Sequence, residues 1–240
     1  FPSVAPSNGQ QDPWAGLVST LGIDAGTGGT FLRDRSMGEL RAAPEQSMEL
    51  TDFRVDHPVA AALHGQSLLL PLAIPLRITG KDPTVLGEVS PASDLWIASD
   101  WRSLVSADAR LRRRIPEFDP DTAVTQPVPV LTAVSQPNGS RTLVVGSGSW
   151  MRTSIADAAA RAGGNRVALV HPGNHELMLA GAAWLAGLDD RIARGSLSQE
   201  VARLGGITPA TRSLWGWILI AGLPLLSLAI GLSTWIRRRY

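Results

Sequence analysis

The 240-residue chain contains no cysteine. That excludes disulfides, thiolate metal sites and a cysteine nucleophile, and it suits an exported bacterial protein. No basic stripe is interleaved with aromatic residues, so no nucleic-acid surface is expected. Gly26-Thr-Gly-Gly29 lacks the Gly-Lys-Ser/Thr ending of a phosphate loop and the spacing of a dinucleotide fingerprint. It reads as a turn. The absence with the largest consequence is that of charge from Leu214 to Ile236.

That uncharged run is Leu-Trp-Gly-Trp-Ile-Leu-Ile-Ala-Gly-Leu-Pro-Leu-Leu-Ser-Leu-Ala-Ile-Gly-Leu-Ser-Thr-Trp-Ile, followed at once by Arg237-Arg238-Arg239-Tyr240. As a helix it would extend about 35 Å, enough to cross a hydrocarbon core with some tilt. Its eleven Leu and Ile residues favour insertion by roughly 5 kcal/mol, and its glycines and Pro224 are tolerated in a membrane helix. Trp215 and Trp217 at one end, and Trp235 and Tyr240 at the other, have the positions of interfacial belts. The Arg triplet sets a direction, because Lys and Arg flanking a span are retained in the cytoplasm. The other flank, Thr208 to Ser213, carries only Arg212. The C-terminus is therefore expected inside the cytoplasmic membrane and residues before the run outside it. Without the terminal Arg triplet the chain has 19 basic and 21 acidic side chains, a net charge of −2. Phe1 in place of Met leads us to expect sequence upstream.

The remaining residues suffice for one sizeable core or two small ones. Residues 1–13 lack periodicity and read as a linker. Trp14, Leu17, Val18 and Leu21 define one face of a short helix, with Asp12 as N-cap, Pro13 in its first turn and Gly22 at its end. Ile23 to Asp34 reads as a strand interrupted by a glycine turn, whereas 35–53 is polar and poorly patterned. His57 to Gly65 reads as a short helix capped by Asp56. Leu68 to Ile78 is apolar but contains Pro71 and Pro75, which favour an edge strand or extended segment. Val85 to Val89 and Leu95 to Ala98 are short strands, and Asp100 to Ile115 a helix with a cationic end. Val128 to Ser135 and Arg141 to Gly146 flank Gln136-Pro-Asn-Gly-Ser140, the chemistry of a β-hairpin. Ser154 to Ala162 reads as an Ala-rich helix ended by Gly163-Gly164, and Val167 to Val170 as a strand. A helix from His175 to Ala186, capped by Asn174 and stopped by Gly187, would bury Leu177, Leu179, Ala183, Trp184 and Leu185.

Chemistry is sparsely signalled. His171 and His175 have metal-ligand spacing on a continuous helix, with Glu176 beside them. Pro172-Gly173 interrupts that geometry, and there is no His-Glu-x-x-His motif, so loop or capping histidines are expected. Gly146-Ser-Gly-Ser-Trp150 follows a strand and precedes a helix, where open α/β sheets place ligands. Ser147 or Ser149 would be a nucleophile only with a tertiary contact to His171 or His175. A nucleophile elbow needs Gly-x-Ser-x-Gly, and the central residue here is Gly148. Asp24, Asp34 and Asp52 form no recognisable pair. No catalytic, cofactor-binding or metal-binding residue is assigned.

One pattern spans most of the chain. Strand Thr142 to Gly146 leads to a short helix and then to Gly173-Asn-His-Glu-Leu-Met-Leu-Ala-Gly-Ala-Ala-Trp-Leu-Ala-Gly187. A polar linker, Leu204 to Arg212, the uncharged run and the Arg cluster follow. This order resembles the C-terminal half of the GldG-like auxiliary proteins of ABC transporters. Its most specific elements are Gly173-Asn174, Ala183 to Gly187, and the sequence linker, span, Arg cluster. Leu17 to Asp34, His57-Pro-Val59 and Val128 to Gly146 also resemble that family. Where the family has a Gly-Asp-Ser-Asp-Phe-like turn, Gly146-Ser-Gly-Ser-Trp150 lacks both acids.

The resemblance implies an extracytoplasmic α/β open-sheet domain over 1–187, glutamine-amidotransferase-like or flavodoxin-like and incomplete at its N-terminus. A juxtamembrane linker over 188–213, a transmembrane helix over 214–236 and a cytoplasmic basic tail over 237–240 would follow. It implies a non-enzymatic accessory subunit beside a membrane permease and a cytoplasmic ATPase, in transport or gliding motility. Gly216, Gly222, Ser227 and Gly231 offer small residues for close helix contact in the membrane. Two other expectations stand beside it. One is an anchored serine hydrolase or amidotransferase-like enzyme using Ser147 or Ser149 with a histidine. The other is an anchored ligand-binding sensor with a pocket near Gly146.

Overall fold

The computed structural model describes residues 13–35, 43–54, 56–99, 116–161 and 167–192. The linker over 1–12 with the Asp12 cap, the helix expected from Asp100 to Ile115, and everything from 193 onward, including 214–236, lie outside those residues. Among the described residues no helix is long and apolar enough to cross a membrane. The chain divides into two compact units, 1–159 with 169–199, and 160–168 with 200–240. In the second, the described residues are Ala160, Arg161, Val167 and Ala168.

The fold is mixed α/β, built from small open sheets. In chain order come α1 (Pro13–Ser19), β1 (Ile23–Ala25), β2 (Thr30–Arg33), β3 (Ser47–Leu50), α2 (Pro58–Leu63), β4 (Leu68–Pro71), β5 (Leu76–Ile78), β6 (Pro83–Val89) and β7 (Leu95–Ala98). Then follow β8 (Val128–Ser135), β9 (Arg141–Val145), a single helical turn α3 (Thr153–Ala156), β10 (Ala159–Arg161), β11 (Val167–Leu169) and α4 (Pro172–Leu185). The three-stranded sheet β6-β8-β9 is accompanied by the pairs β1-β5, β2-β7, β3-β4 and β10-β11. The pairings β1-β5, β2-β7, β3-β4, β6-β8 and β8-β9 are antiparallel.

The expected hairpin is β8-β9, with Leu131 opposite Val145 and Ser135 opposite Arg141. At its turn Gly139 has φ +84°, which Gly adopts without steric penalty. Asn138 Oδ1 accepts from the Ser140 N–H at 2.9 Å, so side-chain chemistry closes the same turn. Strand β8 is the middle strand and is buried almost continuously from Val130 to Val134. Pro129 sits in it opposite Glu88, next to the register irregularity at Gly87. A bulge is where a strand accommodates a residue without an N–H.

Packing follows the two-residue period in β3, where Met48 and Leu50 face inward at 3% exposure each. Together with Phe31, Leu63, Leu70, Leu86, Leu131, Leu177 and Trp184 they belong to the main core. Ile23, Leu76 and Val134 form a second cluster, against which Val18 and Leu21 pack. Helix α4 lies against α2, β4 and β9.

Several elements differ from their expected form, for identifiable reasons. The polar segment 35–53 contains β3, whose alternation is too short to stand out in the sequence. The Ala-rich stretch makes only α3 and then turns into β10, because Asp157 and Ala158 close the helical turn onto Thr153 and Ile155. Helix α1 exposes Trp14 and Leu17 at 70% and 56%, so only half of its apolar face packs among the described residues. Helix α2 is capped by His57, not Asp56: His57 Nδ1 accepts from the Val59 N–H at 3.2 Å. Helix α4 starts at Pro172, three residues before the expected start at His175, since proline at the first helical position supplies a preset φ. Its Leu179 and Leu185 are exposed rather than buried.

Candidate functional site

The turn after β9 is where the sequence directs attention. Gly146 is held on both sides, its N–H donating to the Val130 carbonyl at 2.8 Å and its own carbonyl accepting from the Ile74 N–H at 2.7 Å. A Cβ there would sit 2.6 Å from the Ile74 carbonyl oxygen, so the close strand approach requires glycine. Ser147 is buried, and its hydroxyl donates to the Pro71 carbonyl at 2.6 Å. Its oxygen also lies 3.4 Å from the Ser149 N–H. Among the described residues Ser147 has no histidine partner. Its hydroxyl ties the turn to the end of β4.

Gly173 and Asn174 clamp the start of α4 to the same strand. The Gly173 N–H donates to the Ser67 carbonyl at 2.9 Å, and a Cβ on Gly173 would meet that oxygen at 2.6 Å. Asn174, expected as the helix cap, is instead inside the first turn and 1% exposed. Its Oδ1 accepts from the Leu69 N–H at 2.9 Å. Its Nδ2 donates to the Leu69 carbonyl at 2.9 Å and the Trp150 carbonyl at 2.8 Å. One amide thus satisfies three backbone groups that the core would otherwise leave unpaired.

The two histidines that flank this clamp face different partners. His171 Nδ1 lies 3.2 Å from Ser67 Oγ and 3.7 Å from Glu49 Oε1. Serine, histidine and carboxylate are together here, but both contacts fall on one ring nitrogen. A relay needs the nucleophile on one nitrogen and the orienting carboxylate on the other, so this group does not have that form. Ser67 Oγ is also 3.3 Å from the Val170 carbonyl as a donor. His175 Nε2 lies 2.7 Å from Asp157 Oδ1. Both residues line a half-open cleft of about 110 Å³ with Met151, Thr153, Ala156, Asn174 and Met178. Beside it on α4, Glu176 has its carboxyl pushed up by burial.

A second polar cluster joins the other end of α4 to α2 and β9. Arg141 forms a two-pronged pair with Asp189, at 2.6 and 2.9 Å, and donates to the Trp184 carbonyl at 2.7 Å. Its guanidinium carbon lies 5.3 Å from the Trp184 ring centre. The hydrogen bond to Arg141 pulls the Asp189 carboxyl below its ordinary value. The His57 ring makes an edge contact with Trp184 as well, its centre 4.9 Å from that of the indole. Burial holds the His57 imidazole below its ordinary value, Asp56 and Asp189 pull it up, and Arg141 pushes it down. Arg141 and Asp189 lie 48 residues apart, a separation with no local sequence signal. Asp24, unplaced from sequence, pairs with Arg77 across β1-β5.

Fold and site define a mixed α/β protein with small antiparallel sheets and a clamp of backbone-directed polar contacts. No family model matches the chain, and no curated protein matches it. A solved structure described as the "mmIFT52 N-terminal domain" is similar at a TM-score of 0.42 and 12% identity. The similarity covers 72% of this chain and 57% of that one.

Proposed function

We propose that the chain is a membrane-anchored accessory subunit, without ATPase activity, of an ABC-type transport or gliding-motility complex. The uncharged run Leu214 to Ile236 with its Arg triplet carries this reading. A span of that length, flanked by cations on one side, places the tail in the cytoplasm and the body outside the cytoplasmic membrane. The body would then be an extracytoplasmic mixed α/β domain, positioning a partner or substrate beside a permease and its ATPase. The GldG-like order of Gly173-Asn174, Ala183 to Gly187, linker, run and Arg cluster supports the same assignment. The clamp fits a non-enzymatic body, since Ser147 and Asn174 spend their polar atoms on backbone groups.

Purification of the full chain in mild detergent, with identification of co-purifying proteins, tests the proposal. A permease and an ATPase are expected to accompany it. Bulky replacements at Gly216, Gly222 and Gly231 should reduce their recovery. Release of the chain from membranes by alkali would sink the reading.

A further inference from the structure

The cleft between α3 and α4 has a donor set that the accessory role does not use. Five of its seven lining residues present donor atoms with lone pairs free of backbone duty: Met151, Met178, His175, Asp157 and the Thr153 hydroxyl. Asn174 is not among them, because Leu69 and Trp150 occupy its amide. Met151 and Met178 are 51% and 38% exposed, so both thioethers are accessible from solvent. Three rotatable bonds let each thioether swing over the opening. His175 and Met178 are three residues apart on α4, the spacing that puts two side chains on one helix face.

The His175–Asp157 contact is an independent observation pointing the same way. A carboxylate accepting the N–H of one imidazole nitrogen fixes the tautomer and leaves the lone pair on the other, the arrangement that supports metal-ligating histidines. Here Nε2 faces Asp157 at 2.7 Å, and a neutral ring that donates from Nε2 to this carboxylate has its lone pair on Nδ1. We propose that this cleft is a copper(I) site, with the sulfurs of Met151 and Met178 and Nδ1 of His175 as ligands and Asp157 orienting the ring.

Size and softness select the occupant. At about 110 Å³ the cleft falls well below the roughly 300 Å³ at which organic ligand pockets begin. Two thioethers and one imidazole form a soft set, which favours copper(I) over zinc, magnesium or calcium. Among the described residues no three His, Asp or Glu side chains are grouped to hold a harder cation. With no cysteine in the chain, no thiolate competes for the ion. The site does not depend on the transport reading, and a span would only hold it close to a membrane.

The test is anaerobic titration of the full chain with copper(I) against a chromogenic copper(I) chelator. One equivalent per chain should be withheld, and X-ray absorption should show two sulfurs and one nitrogen at the metal. Met151→Leu, Met178→Leu and His175→Gln should each weaken retention by about tenfold or more, and Asp157→Asn by about 10- to 100-fold. Met48→Leu, a volume-conserving change in the core at 3% exposure, should leave retention unchanged. Thermal melts of the metal-free variants check that each is folded, and Met151→Gln replaces Met151→Leu if that variant is not. Surrender of all copper to the chelator, retention by every variant at the unmodified level, or an absorption spectrum without sulfur would overturn the proposal.

Discussion

Asn174 pairs with Leu69 as a neighbouring strand would. Its side-chain oxygen takes the Leu69 N–H and its side-chain nitrogen gives to the Leu69 carbonyl, both at 2.9 Å. The third bond, to the Trp150 carbonyl, brings the turn after β9 into the same clamp. Replacing Asn174 by Ala leaves three backbone groups without partners and should lower stability by about 3 kcal/mol, given roughly 1–3 kcal/mol for each unsatisfied buried group and some rescue by water. Asn174→Asp should be worse, because a carboxylate oxygen would then face two carbonyls. Urea unfolding midpoints check both. A midpoint unchanged in Asn174→Ala would show that the clamp contributes nothing.

His57 links stability to pH. Its Nδ1 must be unprotonated to accept the Val59 N–H, and burial favours the neutral ring. The groups facing it are Asp56 beside it, Asp189 and Arg141. A folded pKa below 6.5 means the unfolded chain binds more protons between the two values. Stability is therefore complete above about pH 6.5 and declines as pH falls through the folded value. His57→Asn keeps an N-cap acceptor but cannot titrate, and melts across pH 5–8 should lose this slope. Asp189 contributes in a lower window: its depressed carboxyl stabilises above the ordinary value of 3.8 and is lost as pH falls below it.

Glu176 acts in the opposite sense. Burial raises its folded pKa above 4.5, so the folded state binds the extra proton. Its favourable neutral form persists below that value and is lost as pH rises through the folded pKa. Glu176→Gln should raise the melting temperature at pH 7 and leave it nearly unchanged at pH 4. Equal shifts at both pH values would assign the effect to packing.

Thr132, in the middle of β8, is 0% exposed and its hydroxyl has no hydrogen-bond partner among the described residues. Thr132→Val keeps the shape and removes a desolvated oxygen, so it should raise stability by about 1 kcal/mol. Calorimetry decides it, and a lower melting temperature would count against the assignment.

The β8-β9 hairpin was legible because its signals are local: two alternating apolar runs around Pro-Asn-Gly-Ser. The same holds for β6 and β7, and for the turn that separates β1 from β2. Length misled at α3, where an Ala-rich stretch becomes one turn and a strand. Of the site, Ser147, His171 and His175 were identifiable as residue types, but their partners were not. Ser67, Glu49 and Asp157 lie outside any recognisable spacing, at separations of 104, 122 and 18 residues from the histidines they meet.

By itself the sequence determined the uncharged run with its Arg triplet, the hairpin and the glycine punctuation, since each depends on residues adjacent along the chain. Tertiary structure alone decided that Asn174 serves Leu69 across 105 positions and that the Ser147 hydroxyl serves Pro71. It also decided that two methionines and His175 share one cleft. A buried amide or hydroxyl binds whatever backbone the fold leaves unpaired beside it, and that neighbour exists only once the strands and helix have packed.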